Sequence, residues 1–118
     1  MPGHRIDFHK EKGRVRVLVD DVIIAETDKA IILKETGIPP VCYVPPEDVS
    51  QEYLQKTTLT THCPFKGDAS YWSIKVGDRD IENAIWAYED PIAEAMPIKG
   101  CMAFYTDRVD QYDATHSA

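Results

Sequence analysis

Two-residue alternation runs through most of this chain, and it restricts the chain to strands. Residues 14–19 read Arg-Val-Arg-Val-Leu-Val, which puts Val15, Val17 and Val19 on one side of an extended backbone. Ser70 to Val76 repeats the pattern, with Trp72, Ile74 and Val76 on one face and Tyr71, Ser73 and Lys75 on the other. A helix would scatter these residues around its circumference, whereas a strand collects them for one core. Asp20-Asp21 separates the first strand from Val22-Ile23-Ile24-Ala25 and predicts a hairpin with an acidic turn, and Gly77-Asp78 predicts a second turn.

The remaining punctuation completes the outline. Ala30 to Lys34 reads as a third strand. Glu35 to Pro40 is predicted as a loop, because Gly37 and Pro39-Pro40 break a ladder. Val41 to Val44 returns as a short strand. Pro46, with Glu47 and Asp48 behind it, suits the first turn of a helix of about two turns carrying Val49 and Tyr53 on one side. Further strands are predicted near Arg79 to Ile81, Asn83 to Tyr88 and Gly100 to Thr106, and a helical turn at Pro91 to Met96, ending before Pro97. The sum is a mainly β fold, a compact sandwich or barrel-like domain of about eight short strands with one or two short helices. Residues 14–110 form that single domain, residues 1–13 an N-terminal extension, and residues 111–118 a tail expected to fray.

Charge narrows the partners. The 118 residues carry a net charge of −7, with no basic cluster longer than Arg14-Val15-Arg16, so a nucleic-acid backbone would meet repulsion rather than a basic face. A small anion remains compatible, since one lysine or arginine in a pocket acts locally. No apolar run reaches the roughly 18 residues needed to span a bilayer, and the N-terminus lacks the apolar core of a signal peptide, so the expectation is a cytoplasmic protein. Homodimerisation through strand edges is open, but no residue specifies it. Cys42, Cys63 and Cys101 are odd in number and widely spaced, and are expected to be free thiols. Together with His62 they could compose a Cys3His zinc set, but there is no Cys-x-x-Cys pair to begin one. No cofactor is evident.

The densest chemistry lies in Thr60 to Asp68, where an imidazole, a thiol, an ammonium and a carboxylate occupy nine residues. Pro64 drives Cys63 towards an extended conformation, in which adjacent side chains point apart. His62 and Cys63 are therefore not a thiol–imidazole pair by adjacency. His62 instead shares a face with Pro64 and, if the strand continues, with Lys66. An imidazole and an ammonium at the lip of one cavity suit an anion, or proton transfer near neutral pH, with Cys63 and Phe65 turned towards packing. Tyr43, Tyr71, Trp72, Trp86, Tyr88 and Tyr105 form a second constellation that either lines a pocket or builds core.

Four blocks carry a resemblance: Lys34 to Pro45 (KETGIPPVCYVP), Thr60 to Trp72 (TTHCPFKGDASYW), Glu82 to Tyr88 (ENAIWAY) and Ala103 to Asp110 (AFYTDRVD). They resemble a domain-of-unknown-function family of small bacterial, cyanobacterial and fungal proteins with a THCPFKG motif, catalogued by some as nucleotidyltransferase-like. The resemblance covers residues 14 to 110. It implies a small β-rich domain with Glu35, Tyr43, His62, Lys66, Asn83, Trp86 and Arg108 near one cavity. The chain departs from the family's pattern at Cys101 and Thr106, where aromatic residues are more usual, which leaves the packing of the last strand open. The label implies little about mechanism. A polymerase-like nucleotidyltransferase presents an Asp-x-Asp after a Gly-Ser turn to hold magnesium, whereas Asp78-Arg79-Asp80 has no Gly-Ser before it and falls in a predicted turn.

Two functional readings follow. One is a binding module for a small polar or anionic ligand in a cavity beside the THCPFKG segment, with His62, Lys66 and Arg108 supplying charge, Trp86 and Tyr88 the walls, and Tyr43 and Asn83 further contacts. The other is an enzyme using His62 as proton carrier, Glu35 as its partner and Lys66 as electrophilic support.

Overall fold

The computed structural model describes residues 5–10 and 13–116. Among these described residues, ten antiparallel strands form three sheets. The first joins β2 (Gly13–Val19), β3 (Val22–Thr27) and β10 (Gln111–His116) in the order β10-β2-β3. The second joins β1 (Ile6–Lys10), β4 (Ile31–Glu35) and β5 (Ile38–Tyr43) in the order β1-β4-β5. The third runs in chain order through β6 (Leu54–Cys63), β7 (Gly67–Val76), β8 (Arg79–Ala87) and β9 (Met102–Phe104).

The alternation in β7 explains how the sheets stack. Trp72, Ile74 and Val76 pack with Val17, Val19, Ile24 and Ala25 of the β2–β3 hairpin in one core. Ala69 and Tyr71, on the opposite face, pack with Leu33 and Tyr43 of the β4–β5 pair in a second core. The four-stranded sheet is thus a central layer with apolar partners on both faces. Val44 and Met102 exchange backbone hydrogen bonds of 2.8 and 2.7 Å, tying the end of β5 to β9. Among the described residues no helix is long and apolar enough to cross a membrane.

The two-residue turn between Val19 and Val22 is built by Asp20 and Asp21, both at positive φ (49° and 65°). That is the geometry of a primed hairpin turn, and short polar side chains tolerate it.

Several expectations need correction. Pro39 and Pro40 do not end a ladder. They sit in β5, an edge strand, at a register shift where Leu33 pairs with Val41 and Glu35 with Ile38. At an irregular edge the missing N–H groups cost little. The helix expected from Pro46 is replaced by two 3₁₀ turns, Pro46–Asp48 and Gln51–Tyr53. Between them Val49 is extended and buried, and the Ser50 N–H donates to the Ile24 carbonyl at 2.7 Å, so docking onto β3 overrides a continuous helix. Pro97 lies inside a 3₁₀ segment, Ala93–Ile98, rather than after its end. The two candidates at 79–81 and 83–88 are one strand, β8, bent at Asn83.

The ends of the chain differ most. Ile6–Lys10 pairs with β4, and Gln111–His116 pairs with β2 along Leu18 to Gly13, so the extension and the tail both contribute strands. Residues 117 and 118 lie outside the described residues. The mostly polar stretch 111–116 offers only Tyr112 and Ala114 as apolar positions; the pairing is supplied by the edge of β2. Arg79 fastens this corner, donating to Asp110 at 2.6 Å and Asp20 at 2.8 Å. The last apolar strand shrinks to Met102–Phe104: the Tyr105 N–H still reaches the Ala84 carbonyl in register, and the chain then turns, with the Arg108 N–H on the Tyr105 carbonyl at 2.9 Å. Cys101 is buried in the second core and Thr106 is exposed.

Candidate functional site

The Thr60–Asp68 stretch is a hairpin corner. β6 carries His62 and Cys63, Pro64 to Lys66 turn the chain, and β7 begins at Gly67. The Lys66 N–H closes the turn on the Cys63 carbonyl at 3.1 Å, and the Lys66 carbonyl accepts from Ile92 N–H at 2.9 Å. Gly67 has φ +119°, and a Cβ there would lie 3.3 Å from Pro91 Cα, so both conformation and space demand glycine.

The turn reverses the chain between His62 and Lys66, and their side chains part company. Lys66 is buried, with Nζ 2.6 Å from Glu35 Oε1, and the two side chains are only 9% and 2% exposed. Nζ also lies 3.7 Å from Cys63 Sγ and 5.8 Å from the centre of the Tyr88 ring. Tyr43 and Tyr71 belong to the same core as Tyr88, and Cys63 packs against it. Burial pushes the Tyr43 and Tyr88 hydroxyls well above the ordinary tyrosine range. At Tyr43 the Trp86 hydrogen bond opposes this and the Glu35 charge reinforces it. A buried ion pair held this way is costly to break by removing one member.

His62 stands outside this cluster. Its Nδ1 is 2.7 Å from Asp68 Oδ1, with both side chains mostly in solvent. The expected His62–Glu35 partnership is not formed, because Glu35 is taken by Lys66. Phe65, expected to turn towards packing, is exposed at the tip of the corner.

Trp86 leads to a different part of the molecule. Its Nε1–H donates to Tyr43 Oη at 3.3 Å, and its ring lies 4.6 Å from that of Tyr105. These two half-buried rings line a cavity of about 370 Å³ with Ile32, Val41, Cys42, Phe104, Asp107 and Tyr112 among its walls. All three sheets contribute to it: β4 and β5 from one, β8 and β9 from another, β10 from the third. Arg108 sits over the Tyr105 ring at 4.3 Å.

Asn83 occupies a third position. Two register shifts flank β7. Thr57 to Leu59 of β6 loop out opposite Tyr71, and Glu82 to Ala84 of β8 loop out opposite Ser73. Asn83 takes φ +50°, its N–H donates to Ser73 Oγ, and its Oδ1 accepts from the Thr57 hydroxyl at 2.6 Å. Arg108 donates to the Glu82 and Asn83 carbonyls at 3.3 and 3.1 Å. A polar groove of about 810 Å³ runs along these distortions. Thr57 and Ser73 carry no local sequence signal for this; only the paired register shifts reveal it.

The residues expected around one cavity therefore divide. Glu35, Lys66, Tyr43 and Tyr88 share a buried cluster, Trp86 links it to the aromatic cavity, Arg108 links that cavity to Asn83, and His62 is apart. Tyr105 belongs to the site by geometry and was visible in sequence only as one of several aromatics, and Cys42 only as an expected free thiol. Asp80, from the Asp-x-Asp, lies 3.5 Å from Lys75, while Arg79 holds Asp20 and Asp110. Among the described residues no three His, Cys, Asp or Glu side chains converge to hold a metal ion.

These features define a small, mainly β protein whose three sheets meet at an aromatic cavity, with a buried lysine–glutamate pair behind it. Residues 7–115 match the family described as Domain of unknown function (DUF427), labelled NTP_transf_9, and the chain belongs to that family. The match takes in most of β1 and β10, beyond the 14–110 span of the sequence resemblance. No curated protein matches the chain.

Proposed function

We propose that this protein is a binding module for a small, polar, partly planar molecule held in the Trp86–Tyr105 cavity. The observation that supports this is the position of the cavity: about 370 Å³ at the junction of three sheets, faced by two half-buried aromatic rings. Small-molecule sites are typically of this size, apolar in most of their lining and equipped with a few polar groups. Here those groups are the Cys42 thiol, Thr106 and the Asp107 carboxylate, with the Arg108 guanidinium against Tyr105. The cavity beside the THCPFKG corner suits an anion less well. Its lining is Ile6, Pro64, Phe65, Ile92 and Glu94, without a cation among these described residues.

A thermal-shift screen against metabolites and nucleotides tests the reading. A ligand present at 100 times its Kd should raise stability by about 2.7 kcal/mol. The hit should change Trp86 fluorescence, and Tyr105→Ala should weaken it while His62→Gln does not. Hits unaffected by Tyr105→Ala and silent in Trp86 fluorescence would move the site elsewhere.

The enzyme alternative draws on a different observation, the 2.7 Å His62–Asp68 contact, in which a carboxylate orients an imidazole. Asp68 then takes the role expected of Glu35. On that reading His62→Gln keeps ligand affinity and abolishes turnover.

A further inference from the structure

Cys63 and Lys66 are placed by the turn itself. The Lys66 N–H to Cys63 carbonyl bond brings residues three apart into register, and the side chains fold to the same inner side, with Nζ 3.7 Å from Sγ. Lys66 cannot swing away freely, since Glu35 holds Nζ at 2.6 Å in a buried pair. Cys63 is half-buried, and Cys42 and Cys101, neither of them in a disulfide, lie elsewhere in the fold. A thiol held against a buried amine, with a carboxylate in direct contact with that amine, is an arrangement that oxidation can make covalent.

We propose that peroxide joins Cys63 and Lys66 through a side-chain N–O–S bridge. In the first step the Cys63 thiolate attacks one oxygen of hydrogen peroxide. The S–O bond forms, the O–O bond breaks, and water leaves, giving the sulfenic acid. In the second, Lys66 has passed a proton to Glu35 and presents its neutral amine to the sulfenic oxygen. A second peroxide accepts two electrons and is reduced to two waters, as one amine hydrogen and the sulfenic hydrogen leave and the N–O bond forms. Sulfur and nitrogen together lose four electrons, two peroxides are consumed and three waters are released. The bridged nitrogen is no longer an ammonium, so Glu35 loses its buried cation and retains the proton. Oxidation is thus coupled to the buried Lys66–Glu35 charge pair.

Peptide mapping of the peroxide-treated wild-type protein tests this directly. Trypsin normally cuts after Lys66. The bridge should block that cut and leave Thr57–Lys75 as a single peptide about 14 Da heavier, against about 16 Da for a sulfenic acid alone. Dithiothreitol should restore both mass and cleavage, and the oxidised protein should melt at a lower temperature than the reduced one. Cys63→Ser should abolish the adduct; Lys66→Arg should leave a dimedone-reactive sulfenic acid and no bridge. Normal cutting at Lys66 with oxygen added only to Cys63, or oxidation confined to Cys42 or Cys101, would overturn the proposal. The wild-type map decides the matter even where Lys66→Arg does not fold.

Discussion

Lys66 shows how far a residue's meaning depends on what faces it. In sequence it is a lysine before a glycine, the usual composition of a solvated turn. In the fold its ammonium is buried against Glu35, and the two must be considered together. Lys66→Met should cost about 3–5 kcal/mol in urea denaturation, because it strands a buried carboxylate. Adding Glu35→Leu should recover most of that loss, since a well-packed apolar pair often replaces a buried ion pair at little cost. If the double variant were as unstable as the single one, packing rather than charge would set the penalty. His62, four residues away, should behave in the opposite manner. Its contact with Asp68 is exposed, so His62→Gln should change stability by less than about 0.5 kcal/mol.

At the level of elements, the corners decide the architecture. Gly67→Ala should destabilise by about 1–3 kcal/mol, because the backbone is at φ +119° and the added Cβ would lie 3.3 Å from Pro91 Cα. The β2–β3–β10 corner depends instead on charge. Hydrogen bonding to Arg79 holds the Asp110 carboxyl down to about 2, from an ordinary 3.8, with the Asp20 N–H adding to the effect. A lowered folded pKa means that this contribution is present above the ordinary value and is lost as pH falls through about 2. Amide exchange in β10 should therefore quicken between about pH 4 and 2, and Asp110→Asn should show fast exchange already at neutral pH. Unchanged β10 protection in Asp110→Asn would remove the clamp from the account. Strand β10 is hard to read in sequence, because Gln111 to His116 offers only Tyr112 and Ala114 as an apolar rhythm; the unpaired edge of β2 supplies its pairing. The prolines of β5 misled for the complementary reason, since an edge at a register shift tolerates missing donors.

At the level of the molecule, burial in the second core, on one face of the central sheet, sets the alkaline limit. Tyr43 and Tyr88 are held neutral mainly by burial, with folded pKa values raised above the ordinary 10. Their contribution is complete below about pH 10 and is lost as pH rises towards the folded values, so stability should decline from there upward. Absorbance at 295 nm should show these two tyrosines ionising together with unfolding; ionisation in the intact fold would contradict their burial. The period-two pattern of Val15 to Val19 and Trp72 to Val76 was enough to specify strands, a mainly β class and the inward faces, because side-chain alternation is a local property of extended backbone. The THCPFKG corner likewise disclosed its proline and glycine geometry from local sterics. What residues lie opposite was beyond such reasoning. The separation of His62 from Lys66, the Glu35–Lys66 pair, the Thr57–Asn83 bridge and the three-sheet cavity around Trp86 all join positions distant in the chain. Strand pairing and register create those contacts, and they exist only once the sheets have stacked.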